Sequence, residues 1–184
     1  MVDLFMNYNA LEEKYKQIIQ KIIDDNKKFY GFNDKIIWNF FVNDDIGLIA
    51  TNNLKLELKV NIVAVDFYYK KNEPLTIELY VLHEIRHIYQ RLIVFLLNTN
   101  SCPNINYATR CKNEFDNYCN IYQNREKYYL QQIEFEAFMF SYSVIKYKYG
   151  NVDYIHYPAF YDEQEIDVEK HINQWLQIFK NQNL

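Results

Sequence analysis

Glycine, proline and cysteine are scarce in this 184-residue sequence, with three of each. So few glycines and prolines supply too little turn chemistry for a sandwich of many short strands, and they favour long regular elements. The cysteines, Cys102, Cys111 and Cys119, are odd in number and spaced nine and eight residues apart. That suits neither a disulfide framework nor a Cys-x-x-Cys zinc knuckle, so reduced, structural thiols are expected. No apolar run reaches the length of a membrane span. There is no basic excess either: the formal net charge is −4, which excludes an electrostatically driven nucleic-acid or anionic-membrane partner. The opening residues lack the basic start, apolar core and small-residue site of an export signal, so a cytoplasmic location is expected.

Apolar and aromatic residues are plentiful. Hydrophobic residues make up 49% of the chain, with 18 Tyr and 13 Phe, enough for one real core. The length suits a single domain over residues 1–184.

Periodicity predicts the elements. From Tyr8 to Lys28, Leu11, Tyr15, Ile18, Ile19, Ile22 and Ile23 recur at helical spacing, with Gly31 ending the helix. Residues 36–42 and 47–51 read as strands joined by a turn at Asn43-Asp44-Asp45. Residues 54–62 alternate strictly between apolar and polar and continue as an apolar run through Val65. Together they predict a three-stranded antiparallel meander. Pro74 opens a helix to about Asn98. Residues 99–124 read as irregular, with a helical segment near Asn113–Tyr122. A long helix is expected from Arg125 to Tyr149, ended by Gly150, then a loop at 151–162 and an amphipathic helix from Glu163 to Asn181. The fold class expected is α+β: an N-terminal helix, a small antiparallel sheet, two long helices bearing the site and a terminal amphipathic helix.

The chemistry concentrates at Leu82-His83-Glu84-Ile85-Arg86-His87. Residues four apart share a helix face, so His83 and His87 can aim imidazole nitrogens at one point. Two neutral imidazoles and a carboxylate suit Zn²⁺ with water in the open position, and Glu84 is placed to take a proton from that water. The chain after His87 reads Phe95-Leu96-Leu97-Asn98, with no third histidine where a His-x-x-x-His-x-x-Gly-x-x-His site would put one. The third ligand is sought at Gln132-Ile133-Glu134-Phe135-Glu136-Ala137. Glu134 and Glu136 lie about 200° apart around a helix, so only one can face the histidines. Glu134 shares a face with Leu130, Ala137 and Phe138, where the small Ala137 admits a partner helix. Glu134 is therefore preferred, with Glu136 as the alternative. Tyr128, Tyr129, His156 and Tyr157 are candidates to stabilise an oxyanion. Arg86 and Gln90 are expected to support the site, and His171 to be structural.

An alternating strand, Leu-His-Glu-x-x-His-x-x-Gln on one helix and Glu-x-Glu-Ala on a later one resemble the minimal gluzincins over roughly residues 35–148. Those are the ImmA/IrrE-type zinc metallopeptidases and, more distantly, M48-type peptidase domains. The resemblance implies a zincin-like fold, zinc bound by the first Glu of the second motif (here Glu134), and cleavage of a peptide or protein substrate. Those families often place Asp or Asn four residues after that Glu to orient a ligand histidine; this sequence has Phe138. By analogy with zincin clefts, the edge of the strand at 54–66 would hold an extended peptide. The alternative functions are a metal-binding pseudoenzyme and a regulatory or interaction module, of mobile-element or prophage kind, without general protease activity.

Overall fold

The computed structural model describes residues 2–52, 56–99, 101–182 and 184. It forms two compact units, residues 1–85 and 86–184.

The first unit begins with α1 (Val2–Asp25), a 3-10 turn (Lys27–Phe29), β1 (Ile37–Phe41), β2 (Ala50–Asn52), β3 (Glu57–Asn61) and α2 (Ile62–Lys70). The helical stripe of α1 is buried at Tyr15, Ile19 and Ile23. The helix stops before Gly31 because the buried Asn26 turns its side chain back onto the Ile22 carbonyl, at 2.7 Å, and onto Glu78, at 2.8 Å. The strands form one mixed sheet in the order β1-β3-β2, not an antiparallel meander. β1 runs parallel to β3 and β2 antiparallel to it.

Asn61 supplies the physical reason. Its buried side-chain amide donates to the carbonyls of Asn43 (2.9 Å), Leu48 (3.0 Å) and Asp45 (3.1 Å), and its Oδ1 accepts from the Asn43 N–H. The β1–β2 connection is thereby tied to the end of β3. It cannot close as a tight hairpin, and β1 and β2 flank β3 instead.

The same Oδ1 accepts from Val63 N–H and caps α2. The apolar run after residue 61 is therefore a helix and not a continued strand. Its β-branched residues suggested a strand, but burial of Ile62, Ala64 and Val65 under an Asn cap decides otherwise. The strict alternation survives within β3, where Leu58 and Val60 are fully buried. Leu54 and Lys55, the start of that expected strand, lie outside the described residues. Because β3 is the central strand, it offers no free edge, and the peptide-binding edge expected at 54–66 is not there.

α3 (Pro74–Leu97) runs unbroken across the boundary between the units, close to its expected span. The second unit continues with α4 (Ile105–Asp116), α5 (Arg125–Leu130), α6 (Gln132–Tyr149), α7 (Ala159–Glu163) and α8 (Val168–Asn181). α4 lies earlier than expected because Asn104 caps it, accepting from the Tyr107 N–H at 3.0 Å. The single long helix expected over 125–149 is broken at Gln131, whose backbone is extended (ψ 128°). Its side chain instead bonds both the N–H and the carbonyl of Cys119, at 2.8 and 2.9 Å. A fresh helix start follows, and Glu114 of α4 accepts from the Ile133 N–H at 2.8 Å, an acidic group suited to a helix N-terminus. Glu134 thus stands in the first turn of α6. The expected loop at 151–162 ends in α7, and Asp167 caps α8 by accepting from Lys170 N–H at 2.9 Å.

No helix among the described residues is long and apolar enough to cross a membrane. Cys102, Cys111 and Cys119 form no disulfide. Burial, reinforced by the Glu136 charge, pushes the Cys111 thiol up to about 11.

Candidate metal centre

Helix α3 places His83 and His87 one turn apart on one face, between the fully buried Leu82 and Ile85 and the buried Ile88. Both imidazoles are almost wholly buried, at 3% and 5% exposure, and Glu134 is at 1%. Each of the three offers a ligand atom, and these atoms lie within 4.8 Å of one another. Glu134, and not Glu136, is the carboxylate brought to the histidines.

The protonation of His87 follows from its neighbours. Gln90 Nε2 donates to the Ile133 carbonyl at 3.1 Å, which fixes the amide so that its Oε1 faces His87 Nδ1 at 2.7 Å. Nδ1 must then carry a proton. His87 Nε2 faces Glu134 Oε1 at 3.3 Å. Two acceptors so close repel unless a proton or a metal cation lies between them. Two ligands at about 2.1 Å on a tetrahedral ion stand about 3.4 Å apart, so this pair fits one. Tyr118 donates to the same Glu134 oxygen at 2.8 Å. Gln90 therefore does for His87 what an Asp or Asn at position 138 would do, and Phe138 is free to be a buried apolar contact. Gln90→Leu is expected to lower metal affinity about 10–100-fold. Chelator competition would measure it, and unchanged affinity would remove Gln90 from this role.

Glu136 belongs to a different cluster. It accepts from Arg86 Nε at 2.8 Å, from Arg86 Nη2 and from Tyr107 Oη at 2.6 Å, with Arg110 Nη2 at 3.6 Å. The Arg86 guanidinium lies over the rings of Tyr89, Trp175 and Phe140, at 4.3, 4.9 and 5.3 Å. Arg86 thus supports the second unit through Glu136 and the aromatic packing.

Glu84, half-buried, follows His83 in α3, and its Oε2 accepts from Asn52 Nδ2 at 2.5 Å. Asn52 ends β2, an edge of the sheet among the described residues. The oxyanion candidates make the following contacts. Tyr157 is bonded to Glu169 at 2.8 Å, and with His156 it borders a hollow of about 350 Å³ shared with Tyr142 and Lys146. Tyr128 and Tyr129 pack against each other's rings at 5.1 Å, and His171 packs edge-on against Phe135 at 4.8 Å. Asn52 and Tyr118 had no sequence motif to mark them: one comes from the sheet, the other from a polar connection.

No protein-family model, curated protein or solved structure matches the chain.

Proposed function

We propose that this chain is a zinc-dependent metallopeptidase of the gluzincin kind, with His83, His87 and Glu134 as metal ligands and Glu84 as general base. The observation that carries the reading is the buried group itself: His87 Nε2 stands 3.3 Å from Glu134 Oε1, and His83 offers a third ligand atom beside them. The donor set, two imidazoles and a carboxylate, is that of zinc sites that keep a position open for water. Zinc bound there supplies a Lewis acid and lowers the pKa of its water toward 7.

The chain's own residues do the rest. Gln90 holds His87 in the tautomer that presents Nε2. Tyr118 orients the Glu134 carboxylate. Asn52 fixes one oxygen of Glu84, whose carboxylate takes a proton from the attacking water and returns it to the departing amine. The outer edge of β2 carries Asn52, and it is the strand edge on which an extended peptide substrate would align in place of the one expected at 54–66.

Metal analysis of protein purified without chelator is expected to find close to one zinc per chain. Glu84→Gln is expected to keep that zinc and abolish hydrolysis of any substrate the parent cleaves. A chain that is metal-free and cannot be reloaded with Zn²⁺ would overturn the reading. The near-complete burial of His83, His87 and Glu134 favours a second reading, a metal-holding regulatory module without turnover. Zinc that is bound equally by parent and Glu84→Gln, with no peptide cleaved by either, would select it.

A further inference from the structure

The first unit holds a hollow of about 920 Å³ between α1 and β1, a volume in the range of ligand clefts. Its floor is aromatic. Trp38 and Phe40 stand edge to face at 5.2 Å, and Trp38 Nε1 donates to Gln20 Oε1 of α1 at 2.8 Å. Trp38 is in register with Leu58 and Phe40 with Val60, and register partners in adjacent strands project to one face of the sheet. The two rings therefore continue the core row of the fully buried Leu58 and Val60, yet they are only half-buried. On its other side β1 has no strand beside it among the described residues. Its sequence, Ile-Trp-Asn-Phe-Phe, contains none of the charges or prolines that close an edge to pairing. The wall is charged: α1 lines the hollow with Glu12, Glu13, Asp24 and Asp25 against Lys16 and Lys21, and Lys21 is paired with Asp25 at 2.7 Å.

We propose that β1 is a docking edge for an extended, lysine- or arginine-rich peptide, added to the sheet as a further strand along the hollow. A strand laid beside β1 continues the pleat, so its alternate side chains enter the hollow. There the stems of Lys or Arg lie on Trp38 and Phe40, and their charged heads meet the carboxylates of Glu12, Glu13 and Asp24. The sign of the wall disfavours a second copy of this chain, since pairing β1 with β1 would bring two such walls together. β1 lies across β3 from β2, so this edge is separate from the one proposed for a substrate. The inference makes no use of the metal site.

The test uses the whole chain, with Zn²⁺ and with chelator, and the fluorescein-labelled peptide Lys-Val-Lys-Val-Lys-Val-Lys as probe, read by anisotropy. Glu12→Lys combined with Glu13→Lys is expected to weaken binding about tenfold. Glu163→Lys combined with Glu165→Lys, the same charge change at exposed positions of the second unit, should stay within about twofold of the parent. A peptide N-methylated at every interior amide keeps its charge but donates no strand hydrogen bonds, and is expected to bind about tenfold more weakly or worse. Bound probe should slow amide exchange at residues 37–41 and leave 50–52 unchanged. The inference falls if the parent does not bind the probe, if both double variants lose affinity equally, or if the methylated peptide binds as well as the plain one. Protection at 50–52 instead of 37–41, or binding that requires Zn²⁺, would move the probe to the proposed substrate edge and overturns it. A dimeric parent with residues 37–41 protected before any peptide is added would make a second copy the occupant, and overturns it too.

Discussion

Glu134→Gln is expected to weaken zinc binding by well over a hundredfold while leaving the metal-free protein folded. The exchange keeps the side chain's size and the carbonyl oxygen to which Tyr118 donates at 2.8 Å, and removes only the negative charge. That charge belongs to the one carboxylate in a buried group whose other two members are imidazoles. Loss of a residue that merely orients a ligand costs about 10–100-fold in metal affinity. Loss of a ligand carboxylate from a site only 1% exposed, where water cannot readily replace it, is expected to exceed that range. His83→Ala and His87→Ala should fail to retain zinc for the same reason. Titration against a competing chelator reads the effect, and an affinity within threefold of the parent would remove Glu134 from the ligand set.

Glu136→Gln should do the reverse, leaving zinc affinity unchanged and lowering stability by about 3 kcal/mol. Arg86 and Glu136 are a nearly buried pair, with side chains 10% and 17% exposed. Removing one partner strands the guanidinium against Tyr89, Phe140 and Trp175, which offer ring faces but no anion. The loss sits at the low end of the range for broken buried pairs because the amide oxygen still accepts hydrogen bonds. Arg86→Met combined with Glu136→Leu is expected to recover most of it, since apolar replacement of a whole buried pair is often neutral or stabilising. Denaturant unfolding of the metal-free variants measures both. A Glu136→Gln protein as stable as the parent would mean that the pair contributes nothing. The two glutamates are chemically identical and two residues apart, so the opposed outcomes separate a ligand from a packing ion pair.

Local rules made much of this molecule readable from the sequence. Helical periodicity located α3 to within a residue, because Pro74 starts it and its stripe is long. The spacing of His83 and His87 put both on one face through helix geometry alone. Rotation about a helix separated Glu134 from Glu136, and the few glycines and prolines matched an α+β chain rich in long helices. Where a polar side chain bonds far along the sequence, these rules failed. Asn61 reaches the 43–48 connection and turns an expected meander into a mixed sheet. Gln131 leaves the helix to bond Cys119, so one expected helix is two. No window of neighbouring residues contains such a bond.

The same division runs through the site. The sequence by itself determined which side chains can bind a metal, since that depends on residue type and helical spacing. Only the tertiary structure decided what holds them: Gln90 setting the His87 tautomer through the Ile133 carbonyl, Tyr118 on Glu134, Asn52 on Glu84, and Arg86 claiming Glu136. Hydrogen bonds between side chains depend on ångström-scale distances across elements, and those distances exist only once the chain has folded.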